Sequence, residues 1–152
     1  MSYIKFPETV EFYKKRNTLQ MKIKKPVADE SGKIADRGDG CLFFEAANAI
    51  AGDPDGRIDW GTKIVMKIGV NDIAKILAYK GAEGEECKLF HKTQAGSSTL
   101  NLKPGTQGTH SLTISKVAGE QKSFVNVYLN GEDMIIMATL LRASLPTILG
   151  WN

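Results

Sequence analysis

The stretch Glu132-Asp133-Met134-Ile135-Ile136-Met137-Ala138-Thr139-Leu140-Leu141-Arg142-Ala143-Ser144-Leu145-Pro146-Thr147-Ile148-Leu149-Gly150-Trp151 organises the reading of this chain. Asn130-Gly131 before it is a turn. Glu132 and Asp133 suit a first helical turn, where carboxylates meet the positive end of the dipole. Met134, Met137, Leu141, Leu145 and Ile148 make one apolar face, and Ile135, Ala138 and Leu149 extend it around the side. A helix apolar over most of its circumference is buried on more than one side. The chain's own sheet can cover one side, so a second subunit is expected on another. Two other readings compete. One is an ordinary core helix of a monomer. The other is a membrane tail anchor, since about 18 apolar residues span a bilayer. Arg142 in mid-span, Pro146 after it, the polar Thr139 and Ser144, and the lack of a basic flank speak against that anchor.

Working back from the helix, Ser123–Leu129, His110–Val117, Thr99–Leu102 and Cys87–Lys92 read as strands between glycine-rich turns. A short helix is expected from Asp72 to about Tyr79, capped by Asn71, with Ile73, Ile76 and Leu77 on its apolar side and Lys80-Gly81 closing it. Arg57 to Ile68 reads as a strand, with Ile64, Met66 and Ile68 on one face and Val65 and Lys67 on the other. Ala51–Gly56 is a loop by composition. Cys41 opens another strand that runs to about Ile50. The polar segment Ala28–Asp39 has room for a short strand at Lys33-Ile34. From Thr9 to Lys25 the expectation is one long strand. There Leu19, Met21 and Ile23 alternate with Gln20, Lys22 and Lys24, and Pro26 ends it. Four strands, a helix, four strands and a helix make a weak repeat of elements. Runs of strands closed by a helix indicate an α+β fold with antiparallel sheets.

A chain of 152 residues suits one domain with a sizeable core. A net charge of +3 is mild, so partners must be inferred from where the charge sits. Two cysteines, Cys41 and Cys87, make no disulfide framework; reduced buried thiols are expected. The first residues, Met-Ser-Tyr-Ile-Lys-Phe-Pro-Glu, carry neither a signal h-region nor an Arg/Ser-rich transit pattern. A cytoplasmic protein, or a trimmed mature form, is the expectation.

Charge is most concentrated near the start. Lys14, Lys15, Arg16, Lys22, Lys24 and Lys25 lie in a window, Phe12 to Ala28, that contains no acid. Lys22 and Lys24 point the same way as Thr18 and Gln20. A basic, hydrogen-bonding strand face is what a phosphate backbone requires, because each neutralised phosphate releases counterions. An edge strand guarded by lysines against aggregation would look the same. Phe43, Phe44, Trp60, Phe90 and His91 sit in or beside strands, where rings can stack on unpaired bases; core packing is their other use. Phe43 and Phe44 must face opposite sides of their sheet.

Catalytic patterns fail in turn. Cys87 and His91, four residues apart on a strand, are separated by about 13 Å and cannot share a metal ion. No phosphate-binding glycine loop and no nucleophile elbow occurs. Asp53-x-Asp55-Gly56 hints at a calcium loop, but aligning Gly56 puts Ala51 and Thr62 at ligand positions. Arg37-Gly38-Asp39 is too short to carry weight. No catalytic residue, metal ligand, cofactor or small-molecule substrate is expected.

From Ile58-Asp59-Trp60 onward the sequence resembles the Whirly family of single-stranded DNA-binding proteins. The resemblance is carried by Asp59-Trp60, a basic strand, Val70-Asn71-Asp72-Ile73 opening a short helix, and Glu86-Cys87-Lys88-Leu89-Phe90-His91. The ending Leu145-Pro146-Thr147-Ile148-Leu149-Gly150-Trp151 completes it. These motifs fall in order over roughly Thr9 to Trp151. The resemblance implies two antiparallel four-stranded sheets packed crosswise, each half a ββββα unit, with the helices in the core of a homotetramer. It also implies single-stranded DNA along sheet edges between subunits, with bases against aromatic side chains and phosphates outward. The family's Lys-Gly-Lys-Ala-Ala signature aligns with Lys14-Lys15-Arg16-Asn17-Thr18. Lys15 stands at the glycine, Arg16 at the second lysine, and Asn17 and Thr18 at the alanines. Assembly of tetramers into larger particles, which that signature supports, is therefore not carried over. Without a transit pattern, the resemblance points to a prokaryotic or phage-like member, cytoplasmic and nucleoid-associated.

The expected function is sequence-tolerant, non-enzymatic single-stranded DNA binding in replication, repair or recombination. Lys14, Lys15, Arg16, Lys22, Lys24 and Lys67 are the candidates for phosphates, with Thr18 and Gln20 beside them. Phe43, Phe44, Trp60, Phe90 and His91 are the pool for bases. An RNA-binding or annealing protein and a purely structural oligomerisation module are the alternatives.

Overall fold

The computed structural model describes residues 9–33 and 40–151. Period-2 alternation becomes two antiparallel sheets. The first, in the order β1-β2-β3-β4, comprises β1 (Thr9–Lys14), β2 (Asn17–Lys24), β3 (Cys41–Asn48) and β4 (Ile64–Ile68). Helix α1 (Val70–Ala78) follows. The second sheet, in the order β5-β6-β7-β8, comprises β5 (Cys87–Thr93), β6 (Gly96–Pro104), β7 (His110–Ala118) and β8 (Gln121–Leu129), and α2 (Gly131–Leu149) ends the chain. The ββββα-ββββα order expected from the sequence is the order observed. Strand β8 touches all four strands of the first sheet, as a strand crossing that sheet does.

One expectation about the first half is wrong. Thr9–Lys25 is not one strand but a hairpin, paired from Thr9↔Lys22 to Lys14↔Asn17 around Lys15-Arg16. Neither turn residue has positive φ. The turn therefore needs none of the Asn-Gly or Gly-X pairs that announce a two-residue hairpin in a sequence. In the polar segment, Lys33 closes a turn, its carbonyl accepting from Asp29 N–H at 2.9 Å. Ile34, like Arg37-Gly38-Asp39, lies outside the described residues.

The expected strand Arg57–Ile68 is also shorter. It begins as a single bridge, Ala49↔Ile58, breaks at a 3-10 turn over Trp60–Thr62, and pairs regularly only from Ile64. Helix α1 starts earlier than expected, with Gly69 at the cap position rather than Asn71. The Asp72 carboxylate accepts the Gly69 N–H at 3.0 Å.

One core joins the sheets and helices. Leu19, Phe44 and Met66 enter it from the first sheet, Leu100, Leu112 and Val127 from the second, Ile73 from α1, and Met137, Leu141 and Ile148 from α2. Both cysteines are buried and neither is in a disulfide, as expected. Gly40 is required where the chain enters β3, because a Cβ there would lie 2.7 Å from the Ile148 carbonyl oxygen.

Helix α2 starts with a reciprocal cap. The Asn130 side chain accepts from Asp133 N–H at 2.8 Å, and the Asp133 carboxylate accepts from Asn130 N–H at 3.0 Å. It ends on Gly150 at φ 74°, with Trp151 N–H donating to the Pro146 carbonyl at 2.9 Å. Its buried residues are Met137, Leu141, Ser144 and Ile148, while Ile135 and Ile136 stay 68% and 47% exposed. Among the described residues, no helix is long and apolar enough to cross a membrane.

Candidate nucleic-acid interface

Alternation along β2 sends Leu19 and Met21 into the core and leaves Lys22 and Lys24 exposed on the opposite face. Register then builds the site. Lys22 of β2 lies opposite Phe43 of β3, and Phe43 lies opposite Lys67 of β4. Directly opposed side chains in an antiparallel sheet have Cβ atoms about 5 Å apart. The half-buried Phe43 ring is thus flanked on both sides by an exposed ammonium-bearing stem. Phe44 faces the other way and is fully buried, so of the two adjacent rings only Phe43 can meet a ligand.

The neighbouring row on this face runs Glu11–Gln20–Glu45–Val65 across the four strands. Glu45 accepts from Lys63 Nζ at 3.2 Å. Lys22, Lys24, Lys25, Phe43, Glu45 and Val65 line an open groove of about 480 Å³. Three lysines and the apolar Ile23, Phe43 and Val65 line it together, which suits a charged chain carrying flat apolar groups.

Of the first three basic residues, Lys14 is the last of β1, and Lys15 and Arg16 form the hairpin turn. Lys14 Nζ pairs with Asp133 Oδ2 at 2.5 Å and ties the hairpin to the start of α2. Lys15 and Arg16 are exposed. With Tyr13 they form one wall of a second groove of about 450 Å³, and the loop Ala49–Gly56 forms the other. In that loop, Asp53 pairs with Arg57 Nε at 2.6 Å, which holds its carboxyl below the usual range. Thr18 is buried, its hydroxyl donating to Glu11 Oε1 at 2.8 Å, so it braces the sheet from within. Trp60 sits in the 3-10 turn, outside the row that holds Phe43.

The second sheet carries a similar face. Lys88, Phe90 and Lys92 of β5 point outward, whereas His91 points inward, its Nε2 2.9 Å from Asp72 Oδ2 at the start of α1. One row reads Phe90–Thr99–Ser115–Phe124, and the next Lys92–Ser97–Val117–Lys122. Phe90 and Phe124 are 64% and 66% exposed, and Tyr128 shares the face of Phe124 four residues on along β8. Sequence reasoning missed Phe124, Tyr128 and Lys122. Their signal was available: they alternate with the buried Val125, Val127 and Leu129, so the aromatic positions of β8 fall on the wet face.

Strand β8 is a sheet edge, and its outward carbonyls are used within the protein. Asn17 Nδ2 donates to the Asn126 carbonyl at 2.7 Å, and Asn48 Nδ2 to that of Phe124 at 3.2 Å. Both asparagines come from the first sheet, so the two faces hold a set relation.

Among the described residues, no group of three or more His, Cys, Asp or Glu is placed to hold a metal ion. Burial raises the Cys87 thiol and the Tyr79 phenol above their usual pKa, which keeps both protonated and unreactive near neutrality. What the surfaces offer is rings flanked by cations.

Residues 12–139 match the model of a family described as Whirly transcription factor. The chain superposes on the crystal structure of WHY3 from Arabidopsis thaliana with a TM-score of 0.83 at 20% identity, over 98% of this chain and 92% of that one. WHY1 from Arabidopsis thaliana gives 0.82 at 21% identity, over 99% and 89%. A plant transcriptional regulator, PBF-2, gives 0.76 at 21% identity, over 94% and 82%. At these identities the likeness establishes the fold. No curated protein matches the chain in sequence.

Proposed function

The chain belongs to the Whirly family, and from that premise we propose that it binds single-stranded DNA, tolerant of sequence and without catalysis. One observation carries the reading: Phe43 lies between Lys22 and Lys67 in one row of a grooved, outward sheet face. An unpaired base has a π-face for the ring and a phosphate for the lysines. A duplex hides the first, so the ring selects the single strand. Lys24 and Lys67 on the first sheet, and Phe90 and Phe124 on the second, extend the same chemistry. Lys15 and Arg16 add charge at the hairpin end.

The working form is a homotetramer built on α2. Ile135 and Ile136 are exposed on a helix whose other side already fills the core, and an association between copies would cover them. A protein of this kind serves where single strands are transiently exposed, in replication, repair or recombination.

Titration of labelled oligo-dT across a salt series tests the proposal, with duplex and matched RNA as competitors. Binding should weaken linearly in log–log form, with a slope near −0.7 per phosphate contacted. Lys22→Gln with Lys67→Gln should reduce that slope by about 1.4. Tight binding to duplex with none to the single strand would refute the reading, and preference for the RNA oligomer would reassign it.

A further inference from the structure

We infer that Glu45 gives this otherwise tolerant surface a guanine-selective subsite over Phe43; the inference rests on the single-strand binding proposed above. A carboxylate on a phosphate-binding face repels the backbone, so its placement needs a reason. Glu45 is two residues from Phe43 on the same face of β3, which puts the two side chains roughly 7 Å apart, and both line the groove. A base stacked on the ring therefore reaches Glu45 with its edge, not its phosphate.

Chemistry then selects the base. A carboxylate only accepts, through about four lone-pair positions on two oxygens. Lys63 occupies one position on Oε1 at 3.2 Å and steadies the group. No hydrogen bond to Oε2 occurs among the described residues. Guanine presents two adjacent donors on its Watson–Crick edge, N1–H and the N2 amine, which match two carboxylate oxygens. Cytosine and adenine present one donor beside an acceptor, and the acceptor faces the second oxygen unfavourably. Thymine presents N3–H between two carbonyls and is disfavoured most. Gln20, the cross-strand partner of Glu45, carries an amide able to donate to guanine O6.

The test compares (dG-dT)6, (dI-dT)6, (dC-dT)6 and (dT)12 on the intact protein and on Glu45→Gln. Inosine keeps the purine stack and N1–H but lacks the N2 amine. The intact protein should bind (dG-dT)6 about tenfold tighter than (dT)12, with (dI-dT)6 and (dC-dT)6 between them. Glu45→Gln should bring that ratio to within about twofold, even where the freed Lys63 raises binding to every oligomer. Equal binding of the guanine and inosine oligomers, or a ratio unchanged in Glu45→Gln, overturns the guanine assignment and leaves single-strand binding standing. Failure to bind any of the four refutes the single-strand reading itself. The inosine comparison uses the unaltered protein, so it decides even if the variant misfolds.

Discussion

Phe43 and Phe44 are adjacent in the chain and opposite in fate, which allows one pair of substitutions to separate binding from folding. Phe44 is fully buried in the core, in one row with Met21 and Met66. Phe44→Ala should cost about 3–5 kcal/mol of stability, the range for truncating a buried Phe. For a chain of this length, each kcal/mol lowers Tm by about 2–4 °C, so the fall should be about 6–20 °C. Phe43 lies on the outer face between Lys22 and Lys67, where truncation opens no cavity in the core. Phe43→Ala should cost no more than about 1 kcal/mol, the scale of a cross-strand pair.

Binding should respond in the reverse sense. Base–aromatic stacking contributes about 1–3 kcal/mol per base, so Phe43→Ala should weaken oligo-dT binding by about 5- to 150-fold. Phe44→Ala, measured well below its own Tm, should weaken it far less. Circular-dichroism melts read the first quantity, and fluorescence anisotropy with labelled oligo-dT at fixed salt reads the second. If Phe43→Ala binds like the parent, the ring is not a base platform. If it loses Tm as far as Phe44→Ala, the division into wet and dry faces is wrong.

Two further outcomes follow from burial. Ile135→Glu should dissociate the proposed homotetramer, because hiding the exposed two-thirds of an isoleucine is worth about 1–2 kcal/mol per subunit and an interfacial carboxylate opposes it. Native mass measurement reads the result, and an unchanged tetramer would place the interface elsewhere. Leu141→Glu is the contrast, since Leu141 lies in the protomer's own core and its loss should unfold the chain. Stability should also fall in alkali. Burial raises Cys87 above its ordinary 9.0 and Tyr79 above its ordinary 10.0, so the unfolded chain loses these protons first. Their contribution is complete below the ordinary values and is lost as pH rises through the raised ones. The urea midpoint should drop between about pH 8 and pH 11, and Tyr79→Phe with Cys87→Ala should flatten that drop; a level parent profile would refute it.

Much of the fold was legible because alternation and helical periodicity are local. Leu19 and Met21 against Lys22 and Lys24, Ile64 and Met66 against Val65 and Lys67, and the opposed pair Phe43-Phe44 all lie on the faces their order dictates. The surplus of apolar residues on α2 was equally local, and the exposed Ile135 and Ile136 are its structural counterpart. The hairpin at Lys15-Arg16 was not legible, because a turn with negative φ leaves no glycine or asparagine mark. It moved Lys15 and Arg16 from a strand to a turn and gave Lys14 to Asp133. Which residues share a row is a matter of register, set by pairing between segments far apart in the chain. Only the tertiary structure put Phe43 between Lys22 and Lys67, Glu45 beside them, and Phe124 across from Phe90, since period 2 assigns a face but leaves open which strands become neighbours.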